Sequence, residues 1–158
     1  MNKTLYIGGL QETADDDLFI FLSNSYKEKG GLIEGIFPFD KKDVSEEDFN
    51  IKNLEQYDLV ISHSLGAHCI DSSVKRSIFL EPSRHPEFLS DKLNSLPDLS
   101  EKVKDIKNIL IVGARNGGYK ISEELNTKVG GELVILENCD HNFSGECADR
   151  LWSVITES

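Results

Sequence analysis

Residues 58–66 form the stretch DLVISHSLG, in which a continuous apolar run leads into Ser62, Ser64 and Gly66. A short continuous apolar run is typical of a strand buried on both faces, as in a parallel sheet. The S-x-S-x-G pattern approximates the G-x-S-x-G turn, in which a strand bends sharply into a helix and lifts a serine hydroxyl out of the sheet. Residues two before and two after that serine must be small, because strand and helix crowd together there. The stretch therefore predicts an exposed Ser64 at the carboxyl edge of a parallel sheet.

Apolar runs and helical patterns alternate on both sides of this stretch, which is typical of βαβ units. The alternation predicts an α/β protein, a three-layer αβα sandwich with a mostly parallel six-stranded sheet. The predicted strands cover residues 4–7, 32–37, 58–62, 77–80, 108–112 and 132–137, and the main predicted helices cover 13–29, 65–73, 119–129 and 144–157. The length of 158 residues fits one domain, 1–158. Within it, the polar segment 82–106 is expected to form either a small cap or a crossover.

The charge balance excludes two classes of partner. The chain has 17 basic and 28 acidic residues, giving a net charge of −11. Such a field repels the phosphates of nucleic acids and anionic lipid surfaces. We therefore expect no nucleic-acid partner and no membrane partner, while the composition leaves the oligomeric state open.

The cysteines give no sign of a disulfide framework. Cys69, Cys139 and Cys147 are sparse and odd in number, and none forms a C-x-x-C pair. Cys69 follows an apolar segment, so we expect it to be a small buried hydrophobe. The N-terminal residues lack a long apolar stretch with a cleavage site. These features predict a reduced, cytoplasmic setting.

Two further motifs are predicted at the same edge of the sheet as Ser64. His141 follows the last strand within residues 140–143, DHNF. Gly8 and Gly9 follow the first strand and allow the backbone a close approach. Since the carboxyl ends of parallel strands meet at one edge, His141 is expected beside the serine as its general base. The amide of Leu65, just after the turn, would point at any oxyanion that forms there.

The order of these features resembles that of the α/β-hydrolase superfamily, in particular its small bacterial serine esterases. The resemblance spans nearly the whole chain, from the Gly8-Gly9 turn to the last helix. It implies a compact α/β-hydrolase fold and a Ser–His–acid triad that acts through an acyl-enzyme on esters, thioesters or amides, without a cofactor. It also implies that Leu10 supplies the second oxyanion-hole amide, beside that of Leu65. Gly9 and His63 would border the substrate, although packing is the alternative role for His63.

The acid of the triad is open at this point. The superfamily places it after the strand before the last one, where this chain has Asn116 within residues 113–118, GARNGG. Asn116 could orient His141, but an amide cannot stabilise the imidazolium by charge. Glu81, at the end of the strand before that, could supply the carboxylate instead. The third possibility is that no residue does so and catalysis is weak or lost.

The sequence therefore predicts a serine hydrolase for small carboxylic esters or thioesters. The alternative is a catalytically impaired, hydrolase-like module that binds a ligand or protein, as Asn116 suggests. Residues 113–118 do not match the G-x-G-x-x-G pattern of dinucleotide-binding folds, and no glycine loop carries a phosphate-binding lysine. The four histidines show no ligand spacing, so we expect no metal site.

Overall fold

A sheet of six parallel strands runs through the centre of the molecule. The computed structural model describes residues 2–158. The strands are β1 (Thr4–Ile7), β2 (Ile33–Ile36), β3 (Leu59–His63), β4 (Arg76–Leu80), β5 (Asn108–Ala114) and β6 (Glu132–Leu136), in the spatial order β2-β1-β3-β4-β5-β6. Every neighbouring pair is parallel. The predicted sheet is confirmed, and it is wholly rather than mostly parallel.

Helices cover both faces of the sheet. They are α1 (Asp17–Glu28), α2 (Leu99–Val103), α3 (Tyr119–Val129) and α4 (Glu146–Glu157). Leu22 of α1 and Leu151 of α4 join one apolar cluster with Tyr6 of β1. Val103 of α2 and Leu125 of α3 belong to a second cluster, which the alternate side chains of β1 face. The two clusters confirm the three-layer αβα sandwich.

The segment after β3 departs from its predicted form. Residues 65–73 were expected to be helical, whereas the structure has a short 3-10 helix, Ser64–Cys69. Beyond it, the Asp71 carboxylate accepts the backbone N–H of Ser73 at 2.9 Å and its hydroxyl at 2.5 Å. Such a local turn competes with helical hydrogen bonding, and the chain leaves the helix there.

Residues 82–106 form the crossover between β4 and β5. The segment contains two 3-10 turns and α2, and its apolar side chains Leu93, Leu99 and Val103 are buried in the core. Of this segment, Phe88 alone lines the main cleft of the described structure, with its side chain half exposed. The crossover thus leaves the carboxyl edge of the sheet open.

A disulfide joins Cys139 and Cys147. The prediction of no disulfide was wrong, because the chain after β6 folds back and brings the start of α4 to the end of the strand. The number and spacing of the cysteines do not reveal this reversal of the chain. Cys69 is free and buried, as predicted. Disulfides are rare in reducing cytosol, so this bond stands against the expectation of a reduced setting. Within residues 2–158, no helix combines the length and apolar character needed to cross a bilayer.

Candidate active site

Ser64 lies at the sharp turn between β3 and the 3-10 helix. Its φ of 55° is in the left-handed region, which costs a non-glycine residue about 1–2 kcal/mol. Ser62 is fully buried, and a Cβ atom at Gly66 would lie 2.5 Å from the carbonyl oxygen of Ile7. The packing of β1 against the turn therefore demands small residues here. The side chain of Ser64 is half-buried and borders a cleft.

The loop after β1 lies directly against this turn. A Cβ atom at Gly9 would be 2.9 Å from the Cβ of Ser64 and 3.0 Å from the carbonyl oxygen of His63. Neither Leu10 nor Leu65 uses its backbone N–H in a hydrogen bond within the described part of the chain. Both residues also line the cleft. Two unpaired amide donors are thus available beside Ser64, on the two segments where the sequence placed them.

His141 is paired with a buried carboxylate. Its Nδ1 lies 3.2 Å from Oε1 of Glu81, whose side chain is fully buried at the end of β4. The same carboxylate accepts the backbone N–H of Ala114 at 2.9 Å and that of Gly118 at 2.5 Å. Glu81 itself has a φ of 45°, a second strained position at this edge. Three donors converge on this carboxylate, so its charge is held in place next to the imidazole.

The side chain of Asn116 forms no hydrogen bond with His141 in the described structure, where the His141 ring is paired with Glu81 instead. The Asn116 side chain is exposed and makes no hydrogen bond within residues 2–158, while the Asn116 backbone N–H donates to the carbonyl of Cys139 at 2.9 Å. The space beside the imidazole is taken by Glu81, since a Cβ atom at Gly117 would lie 2.2 Å from Oε1 of Glu81. Of the sequence-based alternatives, the geometry therefore matches Glu81 and not Asn116.

Ser64 and His141 border the same cleft, which has a volume of about 790 Å³. No direct hydrogen bond joins their side chains in the described structure, although both side chains line this one cleft. Such hydrogen bonds are often long in unliganded enzymes and tighten with substrate bound. The sheet edge brings together the serine, the imidazole and the carboxylate, from β3, β6 and β4.

His63 is buried and bonded on both sides of its ring. Its Nδ1 pairs with a carboxylate oxygen of Glu12, and its Nε2 lies 2.9 Å from the carbonyl oxygen of His141. The other oxygen of Glu12 accepts the hydroxyl of Tyr6 at 2.6 Å. Burial opposes a charged imidazolium, but the hydrogen bond and charge of Glu12 outweigh it and raise the pKa of His63.

The role of Glu12 was not predicted from the sequence. Glu12 lies in a polar stretch after the glycine turn and resembles the acidic start of a helix, yet the structure buries it. Its place in the loop after β1, at the same sheet edge as His63, was the signal that could have identified it. That His63 borders the substrate stays a prediction; its ring lies at the cleft, and both of its nitrogens already have hydrogen-bond partners.

His68, unlike His63, is buried without a carboxylate partner for its ring. Its Nε2 lies 2.8 Å from the carbonyl oxygen of Ser83, and its Nδ1 is buried without a partner in the described structure. Burial lowers the pKa of His68 to about 4. The backbone N–H of Ser83 in turn donates to the carbonyl of Ser64 at 3.2 Å. His68 thus supports the turn from behind as a neutral packing residue.

The lining of the cleft is apolar and acidic. Its apolar side chains include Leu10, Phe21 and Phe88, and its carboxylates include Asp16 and Asp17. No lysine or arginine is among the lining residues of the described cleft. The chain as a whole has a net charge of −11, so the acidic lining adds to an overall negative charge.

Comparison with known proteins finds solved structures with a similar fold. No protein-family model matches the chain, and no curated protein matches its sequence. The ydeN gene product of B. subtilis superposes with a TM-score of 0.70 at 11% identity, covering 99% of this chain and 98% of the other. Est1E from Butyrivibrio proteoclasticus gives 0.75 at 13% identity, with 99% and 87% covered. An alpha/beta hydrolase enzyme from the metagenome of lagoon sediments at Mar Chica, Morocco, gives 0.69 at 12% identity, with 99% and 89% covered.

Proposed function

Because the chain has the α/β-hydrolase fold, we propose that it is a serine hydrolase that cleaves small carboxylic esters or thioesters through an acyl-enzyme on Ser64. The observation that carries the proposal is the 3.2 Å pairing of His141 with the buried Glu81, at the sheet edge where the strained Ser64 stands. A serine, an imidazole and a carboxylate arranged in this order are the parts of a nucleophilic triad.

The proposed reaction has two halves. His141 removes the hydroxyl proton as Ser64 attacks the acyl carbonyl, and the carboxylate of Glu81 stabilises the imidazolium that forms. The amides of Leu10 and Leu65 bind the oxyanion of the tetrahedral intermediate. The imidazolium then gives its proton to the departing alcohol or thiol. A water molecule repeats the sequence on the acyl-enzyme and releases the acid.

The cleft favours uncharged or cationic substrates. A carboxylate or phosphate on the substrate would meet Asp16 and Asp17 with no lysine or arginine of the lining to pair with it. Like charges repel, and the net charge of −11 adds to the effect. Among esters and thioesters, we expect short neutral acyl groups to be preferred over anionic ones.

Hydrolysis of p-nitrophenyl acetate and butyrate tests the proposal. We expect measurable turnover by the native protein and a loss of at least about 10³-fold in kcat for Ser64→Ala. Ser62→Ala is the matched control, because it removes a buried hydroxyl two residues away that has no partner in the described structure. Turnover retained by Ser64→Ala would remove the assignment.

The alternative function is a catalytically impaired module that binds a ligand or a protein. It rested on Asn116 at the usual position of the acid, whereas His141 has a carboxylate partner in Glu81. If the alternative held, the native protein would turn over no activated ester and Asn116→Asp would create activity. Under the present proposal Asn116→Asp changes little.

A further inference from the structure

We propose that His63 is a doubly protonated positioning residue, and that its ion pair with Glu12 fixes the loop of His141 against the loop after β1. The link to turnover rests on the proposed function. The protonation state and the bridge itself rest on contacts alone. Neither residue is itself a member of the proposed Ser64–His141–Glu81 triad.

The hydrogen-bond partners define the protons on the ring. A carbonyl oxygen can only accept, so Nε2 of His63 must carry the proton in its 2.9 Å bond to His141. Nδ1 faces a carboxylate oxygen of Glu12. The other oxygen of that carboxylate accepts the Tyr6 hydroxyl at 2.6 Å, so Glu12 acts as an acceptor on both sides. Nδ1 therefore carries a proton as well, and the ring is an imidazolium.

The surroundings support this assignment. Burial, followed by the charge of Glu12, raises the pKa of Tyr6 well above its usual range, so the hydroxyl remains a donor. The charged and titratable groups that face the ring are Glu12, Glu81 and His141. Both carboxylates favour a cation at His63. A buried cation and anion joined by direct hydrogen bonds hold one geometry, because separating them would leave an uncompensated charge.

The bridge connects all three parts of the site. Glu12 belongs to the loop that also carries Gly9 and Leu10, and His63 is the residue before Ser64. The carbonyl that His63 binds belongs to His141 itself, and the two imidazole centroids are 5.0 Å apart. A loosened bridge would let the His141 backbone drift, and a displacement of about 1 Å in a reacting group costs about 10²-fold in rate.

The decisive variants are Glu12→Gln and Tyr6→Phe. Glu12→Gln keeps the shape of the side chain and removes its charge, while Tyr6→Phe removes only the hydroxyl that supports it. Tyr57→Phe is the matched control, since the Tyr57 hydroxyl also donates to a carboxylate, that of Glu34, at 2.6 Å and outside the cleft. Circular dichroism establishes that each variant is folded.

The first readout is NMR of the imidazole protons and nitrogens, which needs no substrate. We expect two slowly exchanging ring N–H protons on His63 in the native protein and in Tyr57→Phe, and one in Glu12→Gln. The ring proton between His141 and Glu81 should shift in Glu12→Gln and stay in Tyr57→Phe. A single ring proton on native His63, or an unmoved His141 signal in Glu12→Gln, would overturn the proposal even if the protein proved inactive toward esters.

The second readout is steady-state hydrolysis of p-nitrophenyl acetate. We expect kcat to fall about 10²-fold in Glu12→Gln and less in Tyr6→Phe, with KM nearly unchanged, and neither constant to change in Tyr57→Phe. A kcat for Glu12→Gln within about twofold of native would refute the positioning role. An inactive native protein would instead refute the proposed function, and the NMR result would still decide this inference.

Discussion

Replacing Glu81 by glutamine is the sharpest perturbation of the candidate triad. The native carboxylate accepts three donors: the Nδ1–H of His141 at 3.2 Å and the backbone N–H groups of Ala114 at 2.9 Å and Gly118 at 2.5 Å. A glutamine offers one acceptor oxygen and an NH₂ group. Whichever way the amide turns, its NH₂ faces at least one of these N–H donors in a fully buried position.

Two separate losses follow from this geometry. The imidazolium formed during attack loses its counter-charge, and the corresponding carboxylate-to-amide change in a serine protease lowers kcat about 10⁴-fold. That factor corresponds to about 5.5 kcal/mol of transition-state stabilisation, at about 1.4 kcal/mol for each factor of ten. The unpaired buried donor independently lowers the free energy of unfolding by about 1–3 kcal/mol.

Steady-state kinetics with p-nitrophenyl acetate and urea unfolding measure the two losses. We expect Glu81→Gln to lose about 10⁴-fold in kcat, whereas Asn116→Ala, which removes an exposed amide from the neighbouring turn, stays within about twofold. If Asn116→Ala lost the activity and Glu81→Gln kept it within tenfold, the pairing of His141 with Glu81 would have no catalytic meaning.

Three other perturbations test separate parts of the account. Gly9→Ala would place a methyl group 2.9 Å from the Cβ of Ser64, so ester turnover should fall at least tenfold. Gly31→Ala is the control and should leave turnover unchanged, because its methyl group would have no atom closer than 3.4 Å. Equal activities of the two variants would contradict the close approach of Gly9 to Ser64. Cys147→Ser opens the disulfide, whose cysteines are eight residues apart in the sequence. Chemical denaturation should then show a free energy of unfolding lower by about 2–3 kcal/mol. An unchanged free energy of unfolding would mean that the bond does not form. The pKa of His68 falls from 6.5 to about 4 on folding, so the unfolded chain takes up the proton first and the free energy of unfolding drops as pH falls through that window. His68→Leu should remove about 3 kcal/mol of that pH dependence. Identical pH dependence in both proteins would exclude a buried neutral His68.

The fold was predictable because each central strand has a recognisable pattern of apolar residues in its own short stretch of sequence. The apolar runs that become β3 and β5 are continuous and bounded by small or polar residues, which leaves few alternatives to a buried parallel strand. Ser64 and His141 could be placed because both follow such strands directly, and parallel strands end at the same edge. These predictions needed only sequence order and the geometry of the sheet.

The features that could not be predicted from the sequence depend on the paths of loops rather than on strands. Asn116 and Glu81 are both near strand ends, and only the path of the 113–118 turn decides that the carboxylate reaches His141. Glu12 becomes buried only when its loop folds over β1 and meets His63. The disulfide likewise depends on the return of the chain after β6. Contacts between distant loops carry no periodic signature along the chain.

Covalent trapping with a fluorophosphonate probe, mapped by peptide mass spectrometry, addresses the nucleophile itself. The assignment of Ser64 as the nucleophile predicts one adduct per chain on its hydroxyl, absent in Ser64→Ala and formed much more slowly in His141→Ala. An adduct that persists in Ser64→Ala, or that maps to another residue, would contradict it.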